Sequence, residues 1–458
     1  MSTVAPAIEA APQPSSTSTL SATSIPRAAA ATTPKGRFAF LRKNSFAFAD
    51  QVLISGTNFV AMVLMARALD KPEFGAFQVI FGGLLFANIF QSTLVTQAHN
   101  VLGANRTGEE YRRYTTATAF WQILVLALEL LVAVPLAVVA FARGWSSAAM
   151  LLAVIPAILF WQLQEFVRRV LYTEQRYSRA FFNDLIGYGG QTLILIALFA
   201  SYKLRGTAFD GALALYAIAG ASAVAAMVGA FQLRRDLVRH IDWNHIRENW
   251  RFGRWLAGGE LMGWCSSLHM QGWWAALLIG TVASADLRAA MILFGPARVI
   301  SFFLSSVLPN KFARALNAGG ADALHAKIKF VYLGLIPVVG TYCLLLALFP
   351  RQVLWLIYGQ RYVGDGTAVQ VLVLYSLAAF LNYMVLVMSA ALTASRQTHH
   401  IFLASLAGCI VALALSPLLI KTFGANGGIL SMIATTLVVG ALFISAYFRR
   451  VRYAKEAT

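Results

Sequence analysis

Charge is scarce in this chain, and acid is scarcer than base. Of 458 residues 12% are charged and 59% hydrophobic, at a mean hydropathy of +0.66. Soluble domains carry about 25% charge and about 45–50% apolar residues, so a water-soluble globular enzyme is excluded. Cysteine is nearly absent. Cys265, Cys343 and Cys409 each sit in an apolar run with no CxxC pair, which excludes a disulfide framework and a cysteine zinc site and leaves core thiols. The chain has no GxxxxGKS/T, no HExxH and no GxSxG. That removes a P-loop ATP site, a zincin centre and a hydrolase elbow. No metal or bound cofactor is expected, and the chain is not read as an enzyme. Any drive must come from an ion gradient (H+ or Na+), from the substrate gradient or from product removal.

What is present is long apolar segments. Twelve candidate spans cover roughly 45–69, 75–98, 115–141, 148–166, 182–201, 210–233, 255–280, 286–310, 328–349, 368–392, 401–420 and 428–448. Each approaches the ~20 residues a helix needs to cross a bilayer, whereas barrel strands alternate and cross in about 9–11. The expected class is an all-α polytopic membrane protein. The excess of base orients it. With the N-terminus inside, 27 Lys and Arg fall on inner segments, nine on outer ones, and Arg298 lies mid-span. That asymmetry is the positive-inside signal, and it places both termini in the cytoplasm. It also accounts for the net charge of +18 without nucleic acid, since no basic stripe with interleaved aromatics lies on a soluble domain.

The chain divides by composition. Residues 1–36 are rich in Ala, Pro, Ser and Thr, too polar to bury a core, and are expected to be a disordered tail without a secretory signal. Residues 37–233 form a first six-helix bundle, 255–448 a second, and 449–458 a cytoplasmic tail. Between the bundles, RRDLVRHIDWNHIRENWRFGR (234–254) places Trp243, Ile246 and Trp250 on one helical face. This predicts a short amphipathic linker helix on the inner surface. Arg168, Arg169, Arg176 and Arg179 are read as orienting charges beside it. Asp50 is answered by Glu260, and DKPEFGAF by ASADLRAA, at an offset of about 213 residues. Parallel repeats of this kind place a transport site between the halves, near the midplane.

Polar stripes give the candidate site. Ser45–Ala98 holds two apolar runs joined by DKPEFG. Gln51, Ser55 and Asn58 share one face of the first, and Asn88 and Gln91 one face of the second. In span seven Glu260, Ser267 and Gln271 align with Trp264. In span eight Arg298, Ser301 and Ser305 align. Unpartnered polar groups are costly in hydrocarbon, so these faces should meet protein or water. Arg298 near a span centre costs about 2.5–3.5 kcal/mol on the insertion scale. Either it lines a cavity and holds a diphosphate, for which a guanidinium is well shaped, or it pairs with Glu260. Candidates for ion coupling are Asp50, Glu129 and Glu260. Glu129 has Gln122 on its face, and reads equally as a satisfied packing contact. Asp50 reads equally as a carboxylate favoured by a helix N-terminus. His269 is read as structural, Arg67 and Arg288 as outer-end cations that snorkel, and Asn382 as a helix–helix hydrogen bond.

The pattern ADQ…SGTNF…ARALDKPEFGAF and the segment LRAAMILFGPARVISFFLSSVLPNKFARAL resemble Wzx-type polysaccharide flippases of the MATE-like superfamily. The resemblance implies about twelve helices in two six-helix halves, with spans one, two, seven and eight lining a central cavity. It implies a flippase of the bacterial inner membrane that moves an isoprenoid-diphosphate-linked oligosaccharide for polysaccharide biosynthesis by alternating access. Its partners would be that lipid-linked substrate, the bilayer, and a polymerase and other assembly proteins. Two alternatives stand beside it: a cation-coupled multidrug exporter on the same fold, and a membrane glycosyltransferase or polymerase. The latter wants a long catalytic loop, and the longest outer loop, 350–367, is short.

Overall fold

A computed structural model of the chain describes residues 34–297, 300–301, 303–364 and 366–456. Most of the expected N-terminal tail, and Arg298, lie outside the described residues. Contacts divide the chain into Met1–Ser45 and Phe46–Thr458, and the two halves and the site lie in the second unit.

Helices α1 (Pro34–Ala68), α2 (Lys71–Gln91), α3 (Gln97–Leu102), α4 (Gly108–Ala142), α5 (Ala148–Thr173), α6 (Tyr177–Asp184), α7 (Gly190–Arg205) and α8 (Gly211–Leu233) build the first half. The α1–α2 turn follows from its residues. Asp70 accepts from the Glu73 amide at 2.8 Å and caps α2, with a proline in its first turn, the arrangement helix starts favour. Two π-turns, Ser92–Thr96 and Leu185–Gly189, join α2 to α3 and α6 to α7 as continuous spans. In this half α5 packs on α8, α4 and α2.

The second half contains α9 (Trp243–Cys265), α10 (Leu268–Ile279), α11 (Thr281–Leu293), α12 (Leu308–Leu348), α13 (Pro350–Tyr358), α14 (Thr367–Ala394), α15 (Thr398–Phe423) and α16 (Ala425–Glu456). Here α12 packs on α14, α14 on α16, and α15 on α16. A third π-turn, Phe303–Val307, precedes α12, and Gly320, at φ +66°, breaks the helical path of α12.

Among the described residues ten helices are long and apolar enough to cross a membrane. The two spans that fail this measure are the expected seventh and eighth. Span seven breaks at Ser266–Ser267, where the Ser267 hydroxyl accepts from the Met270 amide and starts α10. Span eight was expected from residue 286, but α11 begins at Thr281 and gives way to a turn after Leu293. The pair completes the about-twelve-helix, two-half architecture with broken helices, which membranes tolerate where neighbours or a cavity satisfy the freed backbone. The linker also differs from expectation. Its part from Trp243 onward is the start of α9, and of its predicted face Ile246 is buried while Trp243 and Trp250 are exposed. Asn249 and Gly253 turn inward instead. A Cβ on Gly253 would stand 2.6 Å from the Thr93 carbonyl oxygen, so only glycine lets α9 lie against the first π-turn.

Candidate central cavity

The two halves meet tightly at the end that carries the α1–α2 turn. Lys71 pairs with Asp286 at 3.0 Å, both nearly buried, and its ammonium lies 5.1 Å from the centre of the Tyr362 ring. Arg67 donates to the carbonyls of Leu356 and Ile357 at 2.6 and 2.7 Å, and Arg361 donates to that of Leu69. Arg67 is therefore a cross-half donor rather than a snorkelling cation. A Cβ on Gly75 would fall 1.8 Å from the Thr281 carbonyl oxygen, so α2 and α11 approach as closely as backbones allow. The segments that answer each other in sequence, DKPEFGAF and ASADLRAA, are the ones joined by the Lys71–Asp286 pair. Burial in this closure pushes the Tyr358 and Tyr362 phenols well up from the ordinary tyrosine range.

Away from the closure a cavity of about 780 Å³ opens between the halves. Its wall runs from Met62 and Arg288 to Ser55, Ser389 and Phe443, with Phe81, Trp161 and Tyr188 from the first half facing Tyr375, Asn382 and Tyr383 of the second. Its volume is in the range of roughly 300–1,000 Å³ typical of ligand pockets. Among the described residues its wall contains no Asp, Glu or Lys, and its basic groups are Arg288 and His269.

Three tyrosines hold the element that carries Arg288. Tyr358, Tyr342 and Tyr383 donate to the carbonyls of Ala289, Leu293 and Ala297. The three carbonyls are spaced about one helical turn apart across the C-terminal end of α11. Arg288 Nη1 lies 3.4 Å from His269 Nε2, so the guanidinium donates and the imidazole accepts. His269 stacks on Trp264 at 5.0 Å between ring centres.

The sequence-predicted residues separate into groups. Ser55, Asn58, Ser267 and Ser301 line the cavity. Gln51, Glu260 and Ser305 are exposed away from it, Gln51 bonding Ser55 at 3.4 Å and Ser305 donating to the Ser301 carbonyl at 2.9 Å. Asn88 is half-buried outside the wall, and Gln91 and Gln271 are fully buried outside it. Arg298, and with it a pairing to Glu260, falls outside the described residues. Arg288, His269 and Asn382 were read as peripheral or structural and instead face the cavity. The reason is the helix breaks. With α11 starting at Thr281, Arg288 sits seven residues inside its helix, about 10 Å along it at ~1.5 Å per residue. The Ser266–Ser267 break resets the register of α10 and turns His269 inward.

The inner arginines also differ from their reading as orienting charges. Arg168 lies within the first half, its Nε 2.8 Å from Asp184 Oδ2, its Nη1 3.2 Å from Glu165 Oε2 and its Nη2 3.5 Å from Asp50 Oδ2. Tyr172 donates to the same Asp50 oxygen, and Arg169 meets Glu165 at 2.8 Å. Asp50 is fully buried, and α1 begins at Pro34, so a helix N-terminus does not account for Asp50, because that effect fades within one turn. Arg176 pairs with Asp236 at 2.8 Å and Glu174 at 2.7 Å. Partial burial moves Glu174 up from the ordinary carboxylate range, a shift Arg176 opposes.

Two helical halves around a shared chamber, closed at one end, give the chain a MATE-like fold, and its long apolar helices make it a multi-pass membrane protein. Similar solved structures include the lipid II flippase MurJ in an inward closed conformation, at TM-score 0.62 and 14% identity over 89% of this chain and 87% of that one. An inward-facing MATE-family multidrug resistance transporter of the MOP superfamily gives 0.67 at 13% identity over 89% and 96%. An outward-facing one gives 0.57 at 14% identity over 89% and 97%. The sequence matches no family model and no curated protein.

Proposed function

We propose that the protein is a flippase that carries an isoprenoid-diphosphate-linked oligosaccharide across the bacterial inner membrane by alternating access. The observation that carries this reading is the charge of the cavity: one described guanidinium, Arg288, and no carboxylate in the described wall. A chamber of that sign suits an anion, and a planar guanidinium suits a diphosphate, which it can hold by two charge-assisted hydrogen bonds. Arg298 is the second guanidinium of the same segment and a further candidate for this contact. Tyr188, Tyr375, Trp161 and Phe81 on the wall present flat apolar faces beside Ser55, Asn58, Ser267 and Asn382. That mixture matches sugars, which carry hydroxyl groups around apolar ring faces. The isoprenoid tail stays in the bilayer. With both termini cytoplasmic, the closed end faces outward and the cavity opens to the side where the substrate is made. A cation-selective drug exporter would want acid on this wall. The partners expected from the resemblance, a polymerase and other assembly proteins, belong to the same reading.

The test is transport of a fluorescent isoprenoid-diphosphate oligosaccharide in proteoliposomes. Reversing the charge with Arg288→Glu should lower initial rate on the order of 10–100-fold, as expected when a charge-assisted contact worth about 1.5–3 kcal/mol is lost, while Arg288→Lys retains part of it. Undiminished transport by a folded Arg288→Glu protein would remove this residue from the mechanism, and undiminished transport by the Arg288→Glu, Arg298→Glu double variant would remove the diphosphate contact with it.

A further inference from the structure

The first turns of α9 have two faces. One is packed on the first half. Asn249 accepts from the Tyr114 hydroxyl at 2.6 Å and donates to the Thr118 hydroxyl at 3.0 Å. Glu248 pairs with Arg106 at 2.7 Å, and Gly253 rests on Thr93 and Leu94. The opposite face is exposed and consists of Trp243, Arg247, Trp250, Arg251, Arg254 and Trp255. Their spacing keeps all six on one side of a 3.6-residue helix. Arg254 lies 5.3 Å from the centre of the Trp255 ring, so base and indole stand together.

The charges of this stretch are sorted between the two faces. Residues 234–254 hold six arginines and three acids. Each acid is engaged within the protein: Asp236 with Arg176, Glu248 with Arg106, and Asp242 with the Asn244 amide that it caps. None of the six arginines joins an ion pair or donates a hydrogen bond among the described residues. The depth of the face is fixed by Gly253. Its contact Thr93 stands 22 positions beyond Lys71, where that continuous span begins, about 33 Å along it at ~1.5 Å per residue. The hydrocarbon core is about 30 Å thick, so the exposed stripe emerges at the membrane surface opposite the α1–α2 turn. Indoles settle at that level, and guanidinium groups meet phosphates there.

We propose that this face of α9 binds the headgroups of anionic phospholipids, with Arg247, Arg251 and Arg254 taking the phosphates and Trp250 and Trp255 seated beside the glycerol. Its charge is complementary to such lipids, and its depth favours a lipid over a soluble acidic protein as the occupant. Because the other face of the same turns is bound to the first half, lipid held here steadies the linker where it enters the second. This inference does not depend on what the cavity carries.

The experiment is native mass spectrometry of the full-length protein in detergent, titrated with phosphatidylglycerol and, separately, with phosphatidylcholine. Wild type should hold phosphatidylglycerol on the order of 100-fold more tightly, about fivefold for each of the three cations. The preference should shrink as ammonium acetate is raised, because salt screens this attraction. The triple variant Arg247→Gln, Arg251→Gln, Arg254→Gln should bring the two lipids level, and Arg251→Gln alone should cost about fivefold. A control triple, Arg314→Gln, Lys327→Gln, Lys329→Gln, removes as many cations elsewhere and should bind as wild type does. If the first triple variant does not fold, its three single variants carry the comparison. No preference for phosphatidylglycerol in wild type, binding undiminished in the α9 variants, or an equal loss in the control would each overturn the assignment. A polyglutamate peptide that binds wild type more tightly than phosphatidylglycerol, and loses that binding in the α9 triple variant, would give the face to an acidic protein instead.

Discussion

The central cavity and the interior of the first half share helix α5, yet they carry opposite charges. The cavity wall presents Arg288 with no carboxylate among its described residues. A short way along the same half, Asp50, Glu165 and Asp184 are buried and Glu129 is half-buried. Three of these four are held around Arg168, and the fourth is left to neutral amides. The contrast shows how one bundle can separate tasks: a positive chamber between the halves, and acid within one half, three of whose four carboxylates converge on one guanidinium.

The most severe way to break this contrast is to remove the guanidinium. Arg168→Ala leaves three carboxylates in a membrane interior and should destabilise the protein by about 3–5 kcal/mol, the cost of breaking a buried pair from one side. Thermal unfolding in detergent, followed by size-exclusion chromatography, would read it. Arg168→Lys should rescue little, since an ammonium cannot match the fork that touches Asp50, Glu165 and Asp184. A melting curve like the wild type's would mean the cluster is not a structural ion network.

A smaller effect is expected where the cavity is closed. Gly75→Ala pushes a methyl into the Thr281 carbonyl, an overpacking of about 1–3 kcal/mol. Because α2 and α11 belong to different halves, the strain is relieved by parting them. Pulsed-EPR distances between labels at Leu204 on α7 and Gln352 on α13, both exposed, should lengthen, while the melting temperature falls only slightly. Unchanged distances would show that this contact does not govern the closure.

The smallest effect sharpens the border of the cavity. Gln271 is fully buried, neither of its amide atoms has a hydrogen-bond partner among the described residues, and its side chain lies against Gly428. Gln271→Leu should be neutral or stabilising by up to about 1 kcal/mol, as when unsatisfied polar groups give way to apolar ones of similar shape. Transport should be unaltered. A large loss of transport with normal stability would place Gln271 in the substrate path after all.

Legibility followed the continuity of the helices. On unbroken α1, 3.6-residue spacing placed Ser55 and Asn58 on the face that lines the cavity. It failed for His269 and Arg288 because Ser266–Ser267 and the Thr281 start of α11 reset the register. It overreached for Gln91 because a polar stripe states which side of a helix wants a partner, and for Gln91 that partner is the Gln162 carbonyl within the same half. The inner arginines were misread for a related reason. A span boundary a few residues off moves Arg168 from a loop to the interior.

Composition and run length alone determined that this chain lies in a bilayer as many helices, because a chain 59% hydrophobic cannot be solvated otherwise. They also determined that its few intramembrane polar groups must turn toward protein or water. Which of those groups meet one another was decided only by the packing. Arg168 comes from α5, its carboxylate partners from α1, α5 and α6, and the closure joins α2 to α11. The physical reason is that pairing depends on where separate helices stand relative to one another. Periodicity along a single helix fixes a direction from its own axis and no distance to the next.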